Sequence, residues 1–513
     1  MTNYFTGGKL IVVNFQETTM SCKKRFGFSR GCGILMPISS LPSPYGIGNF
    51  GKGAYDFINF LAATSQKYWQ VLPLNPTSYG DSPYQSPASL AGNPYFIDPQ
   101  TLYKKGLITK DELILAKNSS VKVDYGWLFS TRYDLLRKAF ARFSENKEYK
   151  AFVKKNAYWL DDYSLFMALK VKNGYKQWTL WNENERNVTA ARTEAEKHTA
   201  ETNFWKWVQY EFMSQWQDVL SYAHQNGITV IGDMPIYVAH DSVDVWSEPE
   251  EFLLDETFAP TSVAGCPPDA YAEDGQLWGN PLYNWELMKN DNFSWWCKRV
   301  GQSFKLYDVL RIDHFRGFAS YYSIPFGDEN ARRGKWIEAP GKELFDRIKE
   351  VYPKARIIAE DLGFITDDVR DLLKHTDFPG MKLLQFAFFD DESEYLPRNY
   401  TTKNTVVYPG SHDSDCSKSW YKQLKGATRA RFIKESRGLY SKSGAYKLIE
   451  MALRSIGNLA IVPMQDYLEL ENEEARMNTP SVPDGNWSWR ISSRYNTSAL
   501  RGKISNLVKI TKR

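Results

Sequence analysis

The sequence predicts an α/β fold: a (β/α)8 barrel carrying inserted, mainly helical subdomains and long loops. Three observations point there. Eight short apolar runs recur along the chain, stretches with helical apolar spacing separate most of them, and several of the runs lead into acidic residues.

The runs fall at 33–38, 69–74, 229–231, 309–312, 356–359, 382–386, 405–408 and 459–462. Unbroken apolar runs of this length read as strands buried on both faces of a parallel sheet. Between them, 56–64, 205–225, 342–351, 367–375 and 445–455 repeat apolar residues near the 3.6-residue period of a helix. Repeated strand–helix units favour a parallel sheet, and eight of them favour a closed barrel. An open doubly wound sheet is the alternative, weakened because no G-x-G-x-x-G follows any run.

Two segments break the rhythm. Residues 75–228 are far more than one connection needs. The part from 80 to 205 reads as a mainly helical insertion, with helices over 127–143, 149–156, 163–172 and 193–198. Residues 246–296, rich in Gly, Pro and Trp, read as a long substrate-covering loop rather than strand. Residues 1–30 read as an N-terminal extension, with Met20 as an alternative start, and 31–513 as the catalytic barrel.

Composition narrows the partners. With 42% hydrophobic and 24% charged residues, the 513-residue chain buries a core and is not globally disordered. The net charge of +4 and the lack of a dense Lys/Arg run argue against nucleic acid. The basic tail (Lys503, Lys509, Lys512, Arg513) reads as a solvated helix face. Aromatic residues reach 15%, which suits a large core or a surface for flat sugar rings equally well. Five scattered cysteines (Cys22, Cys32, Cys266, Cys297, Cys416) with no C-x-x-C pair fit reduced thiols in a cytoplasmic setting. No run nears the roughly 18 apolar residues of a membrane span, so no membrane partner is expected.

Active sites of barrels sit where strands end, and here those ends are acidic. Asp233 follows in VIGDMPIYV, Asp313 in VLRIDHFRGF, Glu360 and Asp361 in RIIAEDLGF, and His412 with Asp413 in VVYPGSHDSD. Buried acids are costly unless paired, so repetition at one end of a sheet points to chemistry. Retaining glycoside chemistry needs two carboxyl groups about 5–5.5 Å apart. Neighbouring strands lie about 4.8 Å apart, so Asp313 and Glu360 meet that need. Arg311, two residues before Asp313, shares its face and is expected to lower its pKa, as a nucleophile requires. The Ile pair before Glu360 is expected to raise that pKa, as an acid/base requires. Asp361 is the weaker candidate because it points away. Asp413 is placed to stabilise oxocarbenium charge, with His314 and His412 as donors to hydroxyls. A metal site from the same residues is the rival reading, disfavoured because no H-E-x-x-H-type spacing occurs.

These strings resemble the nucleophile, acid/base and stabiliser motifs of 4-α-glucanotransferases, the amylomaltase or disproportionating-enzyme family of the α-amylase clan (glycoside hydrolase family 77). SLPSPYGIGNFG, YGDSPYQSPASLAGNPYFID, GDMPIYVAHDSVDVW, PPDAYAEDGQLWGNPLYNW, PGMKLLQFAF and EEARMNTPSVPDGNWSWR resemble it as well, from about residue 33 to 489. The resemblance implies Asp313 as nucleophile, Glu360 as general acid/base and Asp413 as transition-state stabiliser. It implies that Arg311, His314, His412, Asp233, Tyr79, Ser82, Tyr84, Trp278 and Asn478 bind the substrate. It also implies maltooligosaccharides and other 1,4-α-glucans as donor and acceptor, no cofactor or metal, and a monomer or weak homodimer. Around the stabiliser the family reads G-T-H-D-N-D-T, whereas this chain reads GSHDSDC. Transfer, plain α-glucan hydrolysis and non-catalytic glycan binding remain separate hypotheses at this stage, the last disfavoured by the three acids.

Overall fold

The computed structural model describes residues 28–78, 80–268, 273–363, 365–480, 482 and 484–513. Residues 1–27, including Cys22, and Tyr79 lie outside the described residues, as does most of the expected extension. Twelve strands run in chain order: β1 Gly31–Leu35, β2 Tyr68–Gln70, β3 Thr229–Met234, β4 Ser262–Cys266, β5 Gln276–Pro281, β6 Val309–Ile312, β7 Ser320–Pro325, β8 Lys335–Glu338, β9 Ile357–Ala359, β10 Gly380–Leu383, β11 Thr405–Tyr408 and β12 Leu459–Pro463.

Eight of them close a parallel barrel in the order β1-β12-β11-β10-β9-β6-β3-β2. Each of the eight apolar runs supplies one barrel strand. The bounds shift where polar residues join the ladder: β3 extends to Met234 and takes in Asp233, and β10 starts at Gly380. Helices including Lys52–Ala63, Gly341–Val351, Asp367–Thr376 and Gly444–Arg454 carry the chain between strands with their apolar faces buried.

Three expectations need correction. The helices read at 149–156 and 163–172 are one helix, Lys147–Lys172. Asp161 and Asp162 interrupt its apolar pattern, yet both face outward in ion pairs, Asp161 with Lys206 at 2.5 Å and Asp162 with Arg192 at 2.9 Å. The segment 246–296 is not loop throughout. It holds β4 and β5, which join β7 and β8 in an antiparallel sheet ordered β5-β4-β7-β8. Its pairing partner β7 lies more than 50 residues further along, and Gly265 breaks the alternation because a side chain there would meet the Gln276 carbonyl at 2.1 Å. Finally, Arg513 does not lie on a solvated face. Its guanidinium donates to the carbonyls of Ala452, Leu453, Ser455, Gly457 and Gly31, closing the underside of the barrel.

Among the described residues no helix is long and apolar enough to cross a membrane.

Close approach of β1 and β2 depends on Gly33, where a methyl group would meet the Tyr68 carbonyl at 2.5 Å. Gly33→Ala is expected to cost about 1–3 kcal/mol in urea unfolding. An unchanged midpoint would contradict this packing.

Candidate active site

Strand register builds the site. Asp233 on β3 pairs with Arg311 on β6, and Ile312 pairs with Ala359 on β9. The next residues, Asp313 and Glu360, therefore stand side by side at the barrel mouth. Backbone hydrogen bonds from Asp313 to Met234 and from Glu360 to Ile312, both 3.0 Å, extend the ladder that far.

Arg311 is the hub. It is buried, and its Nη1 donates to both oxygens of Asp233 at 2.6 and 2.7 Å. Its Nη2 lies 2.9 Å from Asp313 Oδ1. Asp233 also accepts from the Tyr84 hydroxyl at 2.7 Å. The alternation of a strand explains why Arg311 and Asp313 share the interior face.

The structure alters one electrostatic expectation. Arg311 does draw the Asp313 pKa down, but burial outweighs it, and the charges of Asp233 and Asp413 add to the rise. Asp313 sits at about 6. A guanidinium shared with Asp233 does not fully offset the burial of Asp313. Glu360 is raised further, to about 7, first by burial and then by the charge of Asp313. Ile357 and Ile358 on its approach are buried, as the sequence suggested. The order of proton loss survives the correction: Asp313 ionises before Glu360.

Backbone amides orient Glu360. Its carboxylate accepts from His314 N at 2.7 Å and Leu362 N at 2.9 Å. His314 itself adopts a left-handed conformation, φ 50°. Such backbone costs about 1–3 kcal/mol and persists where surrounding structure imposes it. Burial, with Arg316 nearby, lowers His314 to about 3, so its imidazole is neutral. Trp278 on β5 meets it edge-to-face at 4.8 Å.

Asp413 differs. It lies past β11 on a loop, its side chain 41% exposed, and accepts from Asn478 Nδ2 at 2.7 Å. His412 Nε2 lies 3.1 Å from its other oxygen. Burial tends to raise its pKa, but His412 and Asn478 prevail and hold it at about 2. Reciprocally, His412 is raised by Asp413 against the effect of its own burial. The His412 ring stacks on Tyr84 at 5.2 Å with 12° between planes, and Trp487 lies 6.0 Å away on a left-handed backbone of φ 60°.

The other expected site residues fall as follows. Ser82 Oγ accepts from the Tyr84 amide at 3.2 Å and so shapes the loop carrying Tyr84. Tyr79 lies outside the described residues. Asp361 turns from the mouth and accepts from the Met381 amide at 2.6 Å. Three neighbours were missed: Met381, whose sulfur lies 3.4 Å from Arg311 Nε, Leu362 with its amide, and Trp487. Backbone amides and apolar neighbours leave no sequence signal. Trp487 stood within a recognised string, but its reach to Tyr84 and His412 follows from the fold.

A parallel barrel whose mouth gathers three carboxylates of unequal proton affinity around a buried guanidinium is the layout of a glycoside-processing enzyme. Comparison with known proteins makes this specific. The 4-alpha-glucanotransferase family model matches residues 36–496. A 4-alpha-glucanotransferase from Clostridium butyricum is 47% identical over 487 residues, spanning 93% of this chain and 99% of its own length. One from Thermus thermophilus is 42% identical, over 90% of this chain and 95% of its own. An amylomaltase from Streptococcus agalactiae, solved in complex with acarbose, matches with a TM-score of 0.90 at 39% identity, covering 94% of this chain and 99% of that one. This chain belongs to the 4-alpha-glucanotransferase family.

Arg311→Met leaves Asp233 and Asp313 unpaired in the interior. Breaking a buried pair costs about 3–5 kcal/mol. Without the guanidinium, Asp313 binds its proton still more tightly in the folded state than in the unfolded one. Stability is then lost as pH rises through the raised folded-state value. The deficit against wild type, read by urea unfolding, is expected to be larger at pH 7 than at pH 5. An equal deficit at both would contradict the pairing.

Proposed function

We propose that this protein transfers a segment of a 1,4-α-D-glucan to the 4-hydroxyl of glucose or of another 1,4-α-glucan by a retaining double displacement. The observation that carries the reading is the placement of Asp313 and Glu360 at adjacent strand ends with proton losses in the order the chemistry needs.

In the first step Asp313 attacks C1 of the donor while the C1–O4 bond breaks, and Glu360 delivers its proton to the departing O4. In the second, the acceptor 4-hydroxyl attacks C1, its proton returns to Glu360 and the bond to Asp313 breaks. Protons and electron pairs balance without a cofactor. The Asp413 anion faces the positive charge that develops on the sugar ring. Arg311 keeps Asp313 from retaining its proton too strongly, and His412, Asp233, Ser82, Tyr84 and Asn478 line the donor site or its wall. Trp278, standing against His314, and Tyr84, stacked on His412, favour a sugar acceptor over water.

Family membership favours transfer over hydrolysis. The acarbose bound by the Streptococcus agalactiae amylomaltase supports a cleft shaped for glucans here too. The thiols Cys32, Cys297 and Cys416 fit a reducing compartment, and we place the protein in the cytoplasm as a monomer or weak homodimer.

Maltotriose is expected to yield glucose together with chains longer than the substrate at a constant number of reducing ends. A steady rise in reducing ends with no longer chains would contradict transfer. The rate is expected to fall below about 6, where Asp313 is protonated, and above about 7, where Glu360 loses its proton. Asp313→Ala and Glu360→Gln are each expected to lower kcat by a factor on the order of 10³ or more. Full activity in either refutes the assigned roles.

A further inference from the structure

The loop that carries Asp413 leaves β11 without a strand or helix to fix it, yet its carboxylate has a defined position. The hydrogen bonds behind it form a closed chain. Asn478 donates its side-chain amide to Asp413 Oδ1 at 2.7 Å and its backbone N–H to the His412 carbonyl at 3.1 Å. The carbonyl of Asn478 in turn accepts from Arg476 Nε at 3.0 Å. The same guanidinium donates from Nη1 to Asp415, two residues past Asp413. Asp415 is itself fixed by Asn472 Nδ2 at 2.7 Å and, through its carbonyl, by Gln385 Nε2 at 2.8 Å. Within the loop, the ties run between Ser411 and Ser414, amide to Oγ at 3.0 Å, Oγ to Oγ at 3.2 Å and Ser414 amide to Ser411 carbonyl at 3.3 Å, and from the Asp413 amide to Ser411 Oγ at 3.2 Å.

We propose that Arg476, paired with Asp415, is a positioning residue: its planar guanidinium locks the 476–478 segment to the 411–416 loop and so aims Asp413 at the reacting ring. The inference rests on the reading above that Asp413 stabilises the transition state. Two features make it geometric rather than a matter of charge. Asp415 offsets the charge of Arg476 locally, so the pair presents little net field at Asp413. Only a fork with donors on different nitrogens spans Asp415 and the Asn478 carbonyl together, a reach a lysine ammonium lacks. The stabiliser acts on charge that exists only in the transition state, so a displaced Asp413 lowers kcat while leaving ground-state binding largely intact.

The test uses the full chain with Arg476→Met, Arg476→Lys and Asp415→Asn. Each is measured for kcat and KM on maltotriose, for thermal unfolding, and for the His412 imidazole titration by NMR, with His412→Asn as the assignment control. Arg476→Met is expected to lower kcat about 10- to 100-fold, the scale of an ångström misplacement, with KM little changed. The titration midpoint of His412 is expected to fall as Asp413 moves away. Simple removal of a positive charge would move it up, so the sign separates displacement from a field effect. Arg476→Lys is expected to stay impaired, and full recovery by lysine overturns the geometric claim. If Arg476→Met does not fold, Asp415→Asn decides by the kcat and KM comparison alone, and wild-type kcat there overturns the proposal. An inactive Asp413→Ala alongside wild-type kcat and an unmoved His412 in Arg476→Met refutes only this inference. Full activity in Asp413→Ala refutes the underlying reading instead.

Discussion

One buried guanidinium organises the mouth of this barrel. Arg311 bonds Asp233 on one side and Asp313 on the other, and without it a buried and a partly buried carboxylate would face each other with no cation between them. The sharing has a chemical consequence. A guanidinium given wholly to Asp313 would draw that carboxylate's pKa further down. Divided with Asp233, and set against burial, it leaves Asp313 at about 6, still ionised ahead of Glu360. Strand register makes the sharing possible, since Asp233 and Arg311 are partners across β3 and β6.

Around that hub, each acid is held by a different kind of contact, and the contact matches its task. Glu360 rests on two backbone amides, those of His314 and Leu362. These donors fix its direction without adding a full charge. Asp413 is instead held by the His412 imidazole and a side-chain amide, which keep its pKa at about 2. The carboxylate proposed to exchange a proton is thus set in apolar surroundings, and the one proposed to stay charged is set among hydrogen-bond donors. Aromatic rings then close the space above: Tyr84 stacks on His412, and Trp278 stands against His314.

Much of this was legible in the sequence, for definite reasons. All eight barrel strands announce themselves because strands buried on both faces must be apolar throughout. The three acids announce themselves because carboxylates at such positions have no cheap structural explanation. What stayed hidden depends on distant partners. Strand β4, which also pairs with β5, finds its other neighbour β7 far along the chain, and the helix Lys147–Lys172 runs through an Asp pair neutralised from elsewhere. The pKa of Asp313 was misjudged because the sequence shows Arg311 beside it but not Asp233 competing for the same guanidinium. Trp487, Arg476 and the Leu362 amide become visible only when the loops are brought together.

The central claim is that Asp313 bonds the sugar while Glu360 moves the proton. It is tested most directly by giving Glu360→Gln an α-maltosyl fluoride, whose leaving group needs no proton, and measuring intact protein mass. The account predicts a mass gain of one maltosyl unit, located by peptide digestion to Asp313, because the first step proceeds and the second lacks its base. No adduct, or an adduct on any other residue, would contradict it.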